Sequence, residues 1–228
     1  GRKAGPRSSC RASSLSVLRA SPWTDDAEEA AERELGEVAE ALLASVNEQP
    51  FLSMSERYDA IDVGSKQGNR AKNELLALEL VREVEIDTKK PGRNPKLLEL
   101  TEEGEQVLAD RGYDVAETGR RGIEHRYWQR QVVDHYEDKG YAVEIEYPVR
   151  DGRIDVYVER PGSVVAVEVA MSPEHEVENV EKCLETGADR VEVVAPDDGV
   201  RERIEAAVKD AFDGLPEPLA FVATSKYA

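Results

Sequence analysis

Sulfur and imidazole are scarce in this chain. Its 228 residues include two cysteines, two methionines and three histidines. Cys10 and Cys183 are too few for a disulfide framework. The three histidines come with no paired cysteine spacing, which excludes the usual structural zinc sites. There is no apolar run of about 18 residues or more, so no transmembrane helix is expected. The G-x-x-x-x-G-K phosphate loop is absent, which excludes a P-loop ATPase. Positive charge is also short. Against 30 Lys and Arg stand 48 Asp and Glu, a formal net charge of −18, so binding to nucleic acid through overall basicity is excluded. What remains is 40% hydrophobic, enough for packed cores in one or two domains, and a cytoplasmic location is expected.

The acid excess has a texture: 20 Arg against 10 Lys, and 26 Val against 6 Ile. It resembles the proteins of salt-loving (halophilic) archaea, whose acidic surfaces stay hydrated in molar salt. The charge is uneven along the chain. Residues 1–22 carry five basic side chains and no acid, and residues 64–96 carry eight basic against five acidic. The first island, rich in Ser, Arg, Gly and Pro, has no periodic apolar face and no hydrophobic stretch fit for a secretory signal. Residues 1–24 read as a disordered basic tail, with a nucleic-acid-binding arm as the functional alternative.

Residues 25–113 contain the second island. A helix is expected from Thr24–Asp25, with Leu35, Val38, Ala39, Leu42, Leu43 and Val46 at helical spacing. Gln49-Pro50 ends it. Ser53 to Glu56 is a capping box opening a short helix with Met54, Tyr58 and Ile61 inward. After a turn at Gly64, a third helix is expected from Lys66 to Arg82, packing Ala71, Leu75, Leu78 and Val81. Its first turns carry Lys66, Gln67, Asn69, Arg70, Lys72 and Asn73. Strand Val84–Ile86, a basic loop, strand Lys96–Leu100 and a helix from Thr101 packing Val107 and Leu108 complete the order. That order, with the segment LELTEEGEQVL closing a two-stranded hairpin, resembles a winged helix-turn-helix domain (α+β). The resemblance implies DNA as partner. Arg, Asn and Gln on the third helix have donor and acceptor pairs suited to base edges, and Lys89, Lys90, Arg93 and Lys96 in the wing are placed for phosphates.

Residues 114–120 read as a polar linker, and residues 121–228 as a second α/β domain. A helix is expected from Gly122 to Lys139, with Trp128, Val132 and Tyr136 aligned and Gly140 as its stop. Three strands follow: Tyr141–Tyr147, Ile154–Val158 and Val164–Ala170, the last apolar on both faces. Then come helix Pro173–Thr186, strand Val191–Ala195, helix Val200–Phe212 and a strand at Leu219–Val222. Asp155 sits mid-strand, and Glu168 interrupts the run VVAVEVA, where a carboxylate must be paired, protonated or on a metal. Adjacent strands can bring the two acids to one face, and paired carboxylates suit Mg²⁺.

This αβββαβ order with Asp155 and Glu168 resembles the restriction-endonuclease-like, PD-(D/E)xK, superfamily. The resemblance implies Mg²⁺ held by Asp155 and Glu168, an auxiliary acid at Glu124, and cleavage of DNA. The sequence departs from the family pattern at Ala170, where a lysine is expected two residues after the second acid. Lys182 on the following helix is the obvious substitute. At about 100° per residue, however, it lies on the face opposite the stripe Val177, Val180, Leu184, and is expected to be solvated. His125, His135 and His175 show no metal or triad spacing.

Two functions follow. One is a DNA-binding, metal-dependent endonuclease whose catalysis is degenerate if no lysine is supplied. The other is a non-catalytic winged-helix regulator or adaptor, its α/β domain used for homodimerisation or for contact with a protein of a mobile-element, defence or DNA-transfer system, by analogy alone. At 1 M salt the screening length is about 3 Å and counterion release yields little, so base and shape contacts would carry DNA affinity.

Overall fold

The computed structural model describes residues 35–92, 94–115 and 121–227. The basic tail, the helix start near residues 24–25, Arg93 and most of the 114–120 linker lie outside them. Among the described residues no helix is long and apolar enough to cross a membrane.

The chain is a mixed α/β protein. Three helices come first: α1 (Glu37–Glu48), α2 (Met54–Ala60) and α3 (Ser65–Ala77). An antiparallel hairpin of β1 (Val81–Glu85) and β2 (Lys96–Leu100) follows, then α4 (Glu102–Asp110). The expected capping box is present, with Ser53 accepting from the Glu56 amide and Glu56 accepting from the Ser53 amide. The third helix stops five residues before its expected end. Glu79, at φ +56, reverses the chain, and Val81 buries its side chain from β1 instead of from the helix.

Two glycines set the helical packing. A Cβ on Gly68 would lie 2.4 Å from the Tyr58 ring, so α3 sits directly on that tyrosine. A Cβ on Gly104 would lie 2.0 Å from the Leu80 carbonyl oxygen. That oxygen already accepts from the Thr101 amide at 3.1 Å and cannot withdraw cheaply. Gly104→Ala is therefore expected to lose about 1–3 kcal/mol of unfolding free energy. An unchanged urea midpoint would refute this close approach.

The second half opens with α5 (Ile123–Glu137). Five strands lie in sequence order: β3 (Ala142–Val149), β4 (Gly152–Arg160), β5 (Ser163–Val169), β6 (Arg190–Ala195) and β7 (Leu219–Ala223). The first three are antiparallel, while β5–β6 and β6–β7 are parallel, bridged by α6 (Glu176–Leu184) and α7 (Asp198–Ala211). This is the expected αβββαβ order followed by αβ. On one face of the sheet, Val156, Val158, Val165, Val167 and Val169 pack with Trp128 and Val132 of α5. On the other, Val193 and Ala195 pack with Val180 of α6 and Ile204 of α7.

The hairpin belongs to both halves. Val81, Leu98 and Leu100 pack among the N-terminal helices. Ile86 and Leu97, fully buried, share a core with Ile123 and Trp128. Phe51 adds an edge-on contact to Tyr127 at 6.4 Å.

A buried acid on β6, Glu192, fastens the segment that follows β7. Its carboxylate accepts from Lys226 at 2.8 Å, from Arg190 at 2.7 Å and from the Tyr227 hydroxyl. Every negative oxygen there has a cation or a donor, so the cluster reads as a structural clasp.

Candidate active site

β4 is regular until Asp155. Its ladder with β5 runs from Arg160↔Ser163 to Val156↔Val167, and its pairing with β3 skips Glu146, which has φ +54. Side chains of a strand alternate between faces. Yet Ile154 packs with Ala166 and Cys183 on the α6 side, while Val156 packs with Trp128 on the α5 side. The alternation breaks between them, at Asp155. There the carboxylate takes over a ladder position, with Oδ2 accepting the Val169 N–H at 2.8 Å. The displaced Asp155 carbonyl accepts from Gln129 Nε2 at 2.8 Å.

Asp155 is 1% exposed. Beyond Val169 it meets His125 Nε2 at 3.0 Å and the Arg121 guanidinium, which lies against Oδ1. Burial and the neighbouring Arg121 push the His125 pKa down to about 3, so its ring is neutral. Arg121 Nη1 also lies 2.9 Å from the same Nε2. A neutral ring nitrogen either donates to Asp155 or accepts from Arg121, but cannot do both.

Glu168, also 1% exposed, has its own cation. Lys182 Nζ lies 3.1 Å from Oε1, and the Cys183 thiol donates to the same oxygen at 3.5 Å. Burial raises the Glu168 pKa, and Lys182 opposes that rise. The expectation that Lys182 is solvated is therefore corrected. The buried axis of α6 is Glu176, Val180, Cys183, turned toward Lys182 by about 60° from the stripe Val177, Val180, Leu184. The lysine stem then runs inward past Gly152. Nζ also donates to the Arg153 carbonyl and to Asn179 Oδ1.

Asp155, Glu168, Arg121, His125, Glu176 and Asn179 line one cavity of about 490 Å³. Glu176 is an acid the sequence did not single out. It is 6% exposed, and burial together with the Glu168 charge raises its pKa to about 7. In the sequence it looks like an ordinary acidic residue of a helix first turn. Its only signal was its place four residues before Val180, on the buried stripe. Glu124 does not line this cavity. It is half-buried, its pKa raised by burial and Asp87 and lowered by Lys89, so its electrostatic neighbours are in the hairpin loop.

The candidate nucleic-acid interface is the exposed face of α3, where Lys66, Gln67, Asn69, Arg70 and Asn73 stand. Asn69 Oδ1 accepts from the Tyr58 hydroxyl at 3.0 Å. Other candidate cations are engaged within the chain. Lys72 and Lys96 flank Glu83 at 3.0 and 2.7 Å, Lys96 also reaches Glu85 at 3.7 Å, and Lys89 holds Asp87 at 2.6 Å. Lys90 is exposed. Such surface pairs contribute little and can exchange for phosphates.

Among the described residues no three His, Cys, Asp or Glu side chains converge as a metal cage. The carboxylates at hand are the two on the strands and Glu176, whose raised pKa makes it the poorer anion, a sparse set of the kind that Mg²⁺ completes with water and phosphate oxygens. A cation, the Arg121 guanidinium, already lies against one of those oxygens.

No family model matches the chain, and no curated protein matches it. Among solved structures it is similar to the crystal structure of protein VC1899 from Vibrio cholerae, at 13% identity and a TM-score of 0.34. The match covers 91% of this chain and 54% of that one, so the chain spans about half of that protein's length. A likeness so distant carries no argument about function.

Proposed function

We propose that the protein is a DNA-processing enzyme. In this reading it binds DNA with a winged helix-turn-helix and hydrolyses phosphodiesters in the cavity of a restriction-endonuclease-like domain. One observation carries it: Lys182 Nζ stands 3.1 Å from Glu168, which shares a cavity with Asp155. The Asp, Glu and Lys that phosphodiester hydrolysis uses in that superfamily are thereby gathered, although Ala170 occupies the usual lysine position. Asp155 and Glu168 would hold Mg²⁺, which when bound polarises the phosphate and lowers the pKa of water. Lys182 offsets the Glu168 charge, and its remaining donors are held by the Arg153 carbonyl and Asn179, so it would reach an attacking oxygen only by exchanging one of those bonds. Val169 N–H, His125 and Arg121 fix the Asp155 carboxylate. Hydrolysis joins a water oxygen to phosphorus, while one ester oxygen leaves and takes up a proton.

A second reading, a non-catalytic regulator, draws on a specific observation as well. Asp155 Oδ2 is engaged by Val169 N–H and His125, and Arg121 lies against Oδ1. Plasmid incubation in molar KCl with Mg²⁺ or Mn²⁺ separates the two. The parent is expected to cut. Asp155→Asn, Glu168→Gln and Lys182→Met are each expected to lose about 100-fold or more. No cutting by the parent, or equal cutting by the variants, would remove the enzyme. If Arg70→Ala then still weakened duplex binding, the regulator would remain.

A further inference from the structure

On the other side of Lys182 lies a second cavity, of about 390 Å³, a size usual for small-molecule sites. Its wall includes Tyr147, Arg150, Tyr157, Lys182, Glu185 and Thr186. Tyr147 of β3 and Tyr157 of β4 are stacked there, with ring centroids 4.1 Å apart and planes 13° apart. The other described aromatic pairs are edge-on or tilted, with planes 42° or more apart. Both stacked rings are only partly buried. Both rings pack against the core of Ile154, Ala166 and Cys183 and also line this cavity, where a third flat group can meet the stack.

The surroundings suit one kind of flat group. Arg150, at the tip of the β3–β4 hairpin, is an exposed cation beside the aromatic pair. Asp151 and Glu185 are exposed acceptors fit for exocyclic amines. Lys182 joins the two cavities: it lines this one, and its Nζ contacts Glu168 in the other. A group held on the tyrosines is thus one side chain away from the carboxylates.

We infer that this second cavity is a base-binding subsite, taking an unpaired nucleobase on the Tyr147–Tyr157 stack with its phosphate toward Arg150. The inference rests on the phosphodiesterase reading of the neighbouring cavity, and it names the substrate class. A base stacked inside a duplex cannot reach the tyrosines without leaving the helix. The strand acted on is therefore single-stranded or locally opened, while duplex would be held by α3.

The test is binding without divalent ions, in molar KCl, where non-specific charge attraction is suppressed. Fluorescein-labelled oligo-dT and a labelled duplex are titrated with the full chain and with Tyr147→Leu, Tyr157→Leu and Tyr157→Phe. Leucine keeps the apolar bulk and removes the ring, and phenylalanine restores the ring. Each leucine variant is expected to lose about tenfold in single-strand affinity, with duplex affinity unchanged and Tyr157→Phe close to the parent. Single-strand affinity unchanged in both leucine variants, or an equal loss for strand and duplex, would overturn the subsite. The two readings fail separately. Tyrosine-dependent strand binding by a protein that never cuts would retire the phosphodiesterase alone. Cutting that persists, with strand binding indifferent to the tyrosines, would retire the subsite alone.

Discussion

Glu99→Ala is expected to destabilise the protein by about 2–4 kcal/mol, out of proportion to a single strand acid. Glu99 lies on β2 and is 7% exposed. Its Oε1 accepts the Ile123 N–H at 2.7 Å, the first amide of α5, which no helical carbonyl can satisfy. Its Oε2 accepts from Arg82 Nε at 2.7 Å, and Arg126 Nη2 stands 3.8 Å from Oε1. Truncation removes a charge-assisted bond and leaves Ile123 N–H and Arg126 short of a partner. The Arg82 share is small, because that side chain is 65% exposed and screened. Glu99→Gln keeps an acceptor for Ile123 and is expected to recover at least half of the loss. Urea denaturation measures the energy, and amide exchange at Ile123 locates it. A loss below about 1 kcal/mol with Ile123 still protected would show that the hairpin does not hold α5. The bond matters beyond stability, because α5 begins beside Arg121 and carries His125, both of which contact Asp155.

That bond also shows where the sequence could and could not be read. Elements with strong periodicity or explicit caps were legible: the Ser53 capping box, the αβββαβ order, and the burial of Asp155 and Glu168. The segment Lys96-Leu-Leu-Glu-Leu100 gives no sign that its one acid faces inward, because the partner of Glu99 lies 24 positions on, beyond the linker. Lys182 departs from its expected solvated face for a related reason. A helical wheel compares apolar positions, but α6 buries Glu176 as part of its stripe, and a long lysine stem reaches across what the wheel counts as the far side. The order of elements and the polar 114–120 segment point to separate halves. The sharing of Ile86 and Leu97 with Trp128 depends on which face of the hairpin turns inward, which two short strands do not reveal.

Arg57→Met should be costlier still, at about 3–5 kcal/mol. Arg57 is fully buried in α2, at a position where the sequence offered Met54, Tyr58 and Ile61 as the inward residues. Its guanidinium spans the end of α1. Nη1 donates to the Ser45 carbonyl at 2.5 Å and to Ser45 Oγ at 3.0 Å. Nη2 donates to the Gln49 carbonyl at 2.9 Å, with Pro50 and Leu52 carbonyls at 3.2 and 3.4 Å. The last carbonyls of a helix have no donors of their own, and a cation there also meets the negative end of the dipole. Burial lowers the Arg57 pKa to about 10, which leaves it charged at neutral pH. Methionine fills similar space but removes the guanidinium from all of them, leaving the Ser45 and Gln49 carbonyls with only the Gln49 and Leu52 amides, and lysine, as a single point donor, reaches only some of them. Arg57→Lys is accordingly expected to fall between the parent and Arg57→Met. The salt dependence distinguishes this network from the surface pairs. A buried guanidinium is poorly screened, so the Arg57→Met loss should be nearly the same in dilute and in molar KCl. Breaking the exposed Lys89–Asp87 pair should cost little in either. A loss under about 1 kcal/mol, or one that vanishes in molar salt, would mean that Arg57 is not the lock between α1 and α2. Tyr58, its neighbour, supports Gly68 of α3, so if the proposed DNA-binding function holds, a folded Arg57→Met protein should also bind duplex more weakly, although Arg57 itself is fully buried.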